Sequence, residues 1–158
     1  MKNRNGKKIA FALALASAVF SVNANPIVFL HGWNSAGDLW DGIRALAATP
    51  VADGGMGIAA DDMIALSYYA TSGDYALGCS VYTPIQEVAT NAARVITAFQ
   101  QKKGMPVDVV CHSMGGLVFR SMVADGLVDT NVVRRYITLG TPHYGQNADI
   151  SYQAQQMY

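Results

Sequence analysis

The chain has 158 residues with 11 basic and 11 acidic side chains, enough for one domain and too few for two. Four of the basic residues, Lys2, Arg4, Lys7 and Lys8, fall in the first 24 positions, so the remainder carries 7 basic against 11 acidic residues and a net charge of −4. No basic run is left to track a phosphate backbone, which argues against nucleic-acid binding.

Those four charges precede an apolar run from Ile9 to Val22, and Val22-Asn23-Ala24 supplies a small-x-small cleavage site. Residues 1–24 are therefore expected to be a secretory signal peptide, cut after Ala24, with 25–158 as the domain, secreted or periplasmic. A membrane anchor fits less well, because the run of 14 residues is too short to span a bilayer. No second apolar segment approaches that length, so no stable membrane span is expected once the signal is removed. Two cysteines remain in an exported chain, Cys79 and Cys111. They could pair, but Cys111 is expected inside the sheet as a buried free thiol, and Cys79 is left undecided.

After Asn25-Pro26, Ile27 to Leu30 is a continuous apolar run that suits a strand covered on both faces. A glycine-punctuated loop, His31 to Gly37, follows. Asp38 is a plausible N-cap for a helix from about Leu39 to Ala48 that buries Leu39, Ile43 and Leu46. Pro50 to Asp61 reads as a loop, and Met63 to Tyr69 as the second strand. Tyr68, Tyr69, Tyr75 and Tyr82 lie in or beside the next loop, where packing with a polar tip at the surface is preferred to a substrate-lining role.

The next helix has the clearest signals: Thr83 as N-cap, Pro84 at the first helical position and Gln86 completing a capping box. Ile85, Val88, Ala89, Ala92, Val95, Ile96 and Phe99 form one apolar stripe at helical spacing. Lys102 and Lys103 favour the last turn, and Gly104 with Pro106 stops it.

Val107 to Cys111 is a third strand, and it ends abruptly in His112-Ser113-Met114-Gly115-Gly116. Ser113 thus sits on a sharp strand-to-helix turn, the arrangement of a nucleophile elbow, with helix N-terminal amides facing any negative charge that forms there. The usual pattern is G-x-S-x-G; Cys111 stands where the first glycine would be, and its small size suits that crowded place. Gly115 lets the helix pass close to the strand. That helix runs to about Ala124, burying Leu117, Val118, Ser121 and Met122, and Gly126 ends it. Arg134 to Leu139 is a fourth strand, Gly140 to Gly145 a loop at its end, and Gln146 to Tyr158 offers no clear element.

Strands alternating with amphipathic helices imply an α/β fold, a doubly wound and mostly parallel sheet. Ligands bind such sheets at the strand C-termini where the winding reverses. If the first strand is flanked by the second and third, that point lies between His31-Gly32-Trp33 and Ser113. A serine attacking an ester carbonyl creates a tetrahedral oxyanion that two backbone N–H donors stabilise. Met114 would supply one donor, and Trp33 the other.

The sequence resembles the α/β-hydrolase superfamily, and most closely bacterial secreted lipases and esterases. Three motifs carry the resemblance, in family order: a hydrophobic strand ending in His-Gly (Pro26 to Trp33), the His-Ser-Met-Gly-Gly elbow (His112 to Gly116), and Leu-Gly-Thr-Pro-His-x-Gly (Leu139 to Gly145). It implies a hydrolase of carboxylic esters, with an ester or acyl-lipid substrate and Ser113 as nucleophile. No cofactor is expected, and no acidic cluster in the sequence specifies a metal. The family triad continues with an acid and a histidine after two later strands, so the domain reads as truncated after its fourth strand. Asp125 and Asp129 adjoin the far side of the sheet, while His143 and Asp149 lie near the right rim. His143 is expected to brace the rim rather than act as base, and His31 and His112 are expected to be structural. An acyltransferase or amidase on the same scaffold, or a non-catalytic relative that binds lipid or a partner protein, are the alternatives.

Overall fold

The computed structural model describes residues 24–145. Residues 1–23 of the expected signal peptide and the stretch from Gln146 onward, with Asp149, lie outside the described residues. Four strands form one sheet: β1 (Ile27–Leu30), β2 (Met63–Ala65), β3 (Val107–His112) and β4 (Val133–Leu139). Their spatial order is β2-β1-β3-β4 and all three pairings are parallel. Phe29 stands between Ala65 and Val110, and Leu30 beside Cys111.

Three helices connect the strands: α1 (Asp41–Ala48), α2 (Ile85–Lys103) and α3 (Met114–Ala124). The winding leaves β1 toward β2, then returns past β1 to β3 and β4. Parallel crossovers keep one hand, so reversing direction places later helices on the opposite face. The two cores follow this division. Val28, Leu30, Val109 and Cys111 point into a large cluster with Val88, Ala92 and Ile96 of α2 and Leu117, Val118 and Met122 of α3. Phe29, on the other face by strand alternation, packs with Trp40, Ala47, Ile58 and Met63 in a smaller cluster.

The stripe expected on α2 is the one buried, with Val95 half-buried. The helix begins one residue later than the capping signals suggest, with Pro84 as N-cap; the Thr83 hydroxyl instead accepts the Ser80 N–H at 2.8 Å. At its other end Gly104 adopts a left-handed conformation and closes the helix on Gln100.

Two expectations need correction. The segment before α1 is a short 3-10 turn (Gly37–Trp40), not the start of the α-helix. This rotates the register, so Trp40 and Ala47 face the sheet while Leu39, Ile43 and Leu46 are 47, 48 and 62% exposed. Trp40, with its larger apolar surface stacked on Phe29 at 5.0 Å, takes the core position that the leucines were expected to hold. The second strand is also shorter than expected, ending at Ala65; the Leu66 N–H still bonds the Phe29 carbonyl, after which the Ser67 N–H turns away to Tyr75. On β4, Tyr136, Ile137 and Leu139 are exposed among the described residues, as expected of a fourth strand at the sheet edge. No helix of the described residues is long and apolar enough to cross a membrane.

Candidate active site

Because all strands run parallel, the loops after β1, β2, β3 and β4 open on one rim. At that rim Ser113 is the single residue between β3 and α3. Its φ of 50° and ψ of −124° are uncommon for a residue with a side chain, a strain usually held in place by the surroundings at about 1–3 kcal/mol. Here the restraints are visible: its N–H donates to the Leu139 carbonyl at 2.9 Å, and its carbonyl accepts the Gly116 N–H at 3.1 Å. The backbone of α3 lies hard against the end of β1, since a Cβ on Gly115 would come 2.5 Å from the Leu30 oxygen and 2.7 Å from that of His31. Only glycine allows that approach.

The loop after β1 meets the same point from the other strand. A Cβ on Gly32 would stand 3.0 Å from the Ser113 Cβ, so the His31-Gly32-Trp33 loop and the serine turn are in contact. Among the described residues, no carbonyl or side chain accepts a hydrogen bond from the Trp33 or Met114 N–H. Two backbone N–H groups without an acceptor among the described residues therefore belong to the two chain segments that meet at the half-buried serine. The Trp33 side chain is 38% exposed, so its indole is not part of the core.

His31 is fully buried, its Nε2 accepting the Tyr68 N–H at 3.0 Å and its Nδ1 lying 2.7 Å from the Gly32 oxygen. Burial holds its pKa below the ordinary value, against the opposing pull of the Gly32 carbonyl. Its ring stacks 4.0 Å from that of Tyr68 and 5.7 Å from that of Tyr69. Tyr69 hydrogen-bonds the Asn34 backbone, and burial raises its hydroxyl pKa to about 12. Of the four tyrosines noted in sequence, Tyr68 and Tyr69 thus pack beneath the β1 loop, while Tyr75 and Tyr82 are exposed. The repeated aromatic-polar character of Tyr68-Tyr69 was the one sequence signal for this support.

The remaining candidates are placed elsewhere. His143 Nε2 lies 3.4 Å from Thr138 Oγ1, its carbonyl accepts Arg120, and its ring meets Tyr136 edge-on, so it braces the rim. Asp125 accepts the Ser121 hydroxyl at the C-terminal end of α3, and Asp129 caps Asn131. His112 is exposed, with Nδ1 near Gly32. Among the described residues none of these groups hydrogen-bonds Ser113, and no cluster of three or more His, Cys, Asp or Glu side chains could hold a metal. Cys111 is a buried free thiol and Cys79 a half-buried one that accepts Asn91 Nδ2 at 3.7 Å. A cavity of about 350 Å³ lined by Asp38, Asp41, Arg44 and Tyr75 lies on the β2 side and does not include Ser113.

A parallel sheet wound in both directions around β1 and β3, with a serine on the β3 turn, is an α/β-hydrolase fold of the lipase and esterase kind. A family model described as a PGAP1-like alpha/beta domain matches residues 21–158, and the chain belongs to that family. Among solved structures, the mature form of the Bacillus licheniformis lipase BlEst2 is similar, with a TM-score of 0.56 and 24% identity over 78% of this chain. The propeptide form of that lipase matches with a TM-score of 0.55 and 25% identity over 77% of this chain. This chain spans 43% of the mature lipase and 23% of the propeptide form. No curated protein was matched in sequence.

Proposed function

We propose that the protein is a serine hydrolase of carboxylic esters that works through an acyl-enzyme on Ser113. The observation that carries this reading is the contact between Gly32 and Ser113, which brings the loop bearing Trp33 to the serine turn bearing Met114. The N–H groups of Trp33 and Met114, which have no acceptor among the described residues, would serve as the two donors. In the reaction, Ser113 Oγ would bond to the ester carbonyl carbon and the carbonyl oxygen would take up negative charge between those two donors. One such donor typically contributes about 3 kcal/mol to the transition state. Collapse of the tetrahedral species expels the alcohol, and water then releases the acid. A general base takes the hydroxyl proton and returns it to the departing alcohol. Acyl lipids are the favoured substrate class, because the similar solved structures are of a lipase. The N-terminal segment supports export, to the periplasm or the medium.

The other reading is a relative that binds lipid or a partner protein without turnover. Transfer of the acyl group to another acceptor, or attack on an amide, would use the same acyl-enzyme. A fluorophosphonate probe separates catalytic from non-catalytic readings. Covalent labelling that disappears in Ser113→Ala supports the hydrolase; absence of labelling in the folded protein rules the mechanism out.

A further inference from the structure

We infer that His31 is a positioning residue for this site: its imidazole holds the Gly32 carbonyl on the β2 side and so turns the Trp33 N–H toward Ser113 on the β3 side. The inference rests on the hydrolase reading and adds to it the group that sets the second donor.

Hydrogen bonding fixes the state of the ring. The Tyr68 N–H can only donate, so His31 Nε2, 3.0 Å away, must be the unprotonated, accepting nitrogen. The single proton of the neutral ring then lies on Nδ1, which donates to the Gly32 oxygen at 2.7 Å. That oxygen and the Trp33 N–H belong to one trans peptide group, planar, with the two bonds pointing in opposite directions. Anchoring the oxygen therefore aims the N–H.

The strand order supplies the direction. β1 lies between β2 and β3, His31 is tied to Tyr68 on the β2 side, and Gly32 touches Ser113 on the β3 side. A carbonyl drawn toward the histidine leaves the N–H facing the serine. The next residue is held as well, since Asn34 takes a positive φ of 50° and its backbone is bound by Tyr69. Groups facing His31 come from each neighbouring element: Asp38 from the turn before α1, Tyr68 and Tyr69 from the chain after β2, and His112 from β3. Asp38 favours a charged ring, His112 and burial oppose it, and burial is the larger influence.

Two substitutions separate the two bonds. In His31→Asn the side-chain amide nitrogen can take the place of Nδ1 and still donate to Gly32, while contact with Tyr68 is lost. In His31→Gln the longer side chain can still accept from Tyr68, and the donor to Gly32 is lost. Fluorophosphonate labelling of Ser113 is expected to fall by about 100-fold in H31Q, the usual effect of misplacing one oxyanion donor, and by under about 5-fold in H31N. The ring of ¹⁵N-histidine-labelled protein should show the Nδ1–H tautomer. An Nε2–H tautomer, or equal labelling in parent and H31Q when both keep a folded amide spectrum, overturns the inference. If the folded parent is not labelled, the hydrolase reading fails and the Trp33 amide resonance decides alone. A shift larger in H31Q than in H31N supports the positioning role, and an unmoved resonance in H31Q overturns it.

Discussion

Gly32 packs directly on Ser113, leaving only 3.0 Å between the serine Cβ and a β-carbon placed on the glycine, and 3.2 Å to His112 Nδ1. This contact joins the ends of β1 and β3, the two strands between which the winding of the sheet reverses. It makes the site a property of two loops far apart in sequence, and it is sensitive to a single methyl group.

Gly32→Ala is therefore expected to leave the fold intact and damage the site. The added methyl must displace Ser113 or His112 by a few tenths of an ångström, a change costing about 1–3 kcal/mol if the packing cannot relax. Ser113 labelling should drop by about 10- to 100-fold, since small misplacements of reacting groups are costly. Measurement of the labelling rate beside the urea midpoint tests this; an unchanged rate would show that the corner tolerates the methyl.

The two glycines that open α3 should respond differently to alanine, although both are buried in the same helix turn. At an exposed helical position Gly→Ala gains up to about 1 kcal/mol of helix propensity. At Gly115 the new Cβ meets the backbone oxygens of Leu30 and His31, which the sheet holds in place, so Gly115→Ala should be destabilising by about 3 kcal/mol or fail to fold. At Gly116 it meets the side chain of Thr141, on the loop after β4 rather than in the sheet, so the loss should be smaller and felt mainly between Gly140 and Gly145. Thermal unfolding of both variants gives the order, and equal losses would contradict it.

The positions of β1, β3 and β4 and the α2 stripe were legible because each is set by local pattern: apolar runs, helical spacing and glycine stops. The serine turn was legible for the same reason, since a strand, a serine and two glycines occur together from Val107 to Gly116. The face of α1 was not. Leu39, Ile43 and Leu46 have the right spacing, yet one 3-10 turn before the helix shifts which side meets the sheet, and Trp40 outcompetes them for the core. His31 was read only as structural, since its bond from the Tyr68 N–H, 37 residues away, exists only once β1 and β2 are side by side.

Tyr68→Phe is expected to stabilise the protein. The Tyr68 ring is wholly buried, but its hydroxyl finds no hydrogen-bond partner among the described residues. Burial raises its pKa well above the ordinary value, keeping it protonated. An unpaired buried polar group usually costs about 1–3 kcal/mol, and phenylalanine keeps the stacking on His31 while removing it. The melting temperature should rise by a few degrees. A fall of similar size would mean that the hydroxyl has a partner after all, such as an ordered water.

The pH dependence of stability should carry the signature of a buried neutral histidine. His31 has its pKa lowered from 6.5 in the folded state, chiefly by burial, while in the unfolded chain it titrates near 6.5. Between the two values the unfolded state binds more protons than the folded one, so stability rises with pH across that window. The contribution is fully present above 6.5 and is lost as pH falls toward the folded pKa, by at most about 1.4 kcal/mol per pH unit. Protonation places a second donor at Nε2 against the Tyr68 N–H, so the ring must leave its place and release the Gly32 carbonyl. Urea midpoints measured from pH 7.5 downward should therefore fall in the parent more steeply than in His31→Gln. Ser113 labelling should decline over the same window in the parent, beyond the change seen in that variant. Matching slopes in parent and variant would remove His31 as the source, and a labelling rate that ignores its titration would separate the ring from the Trp33 peptide.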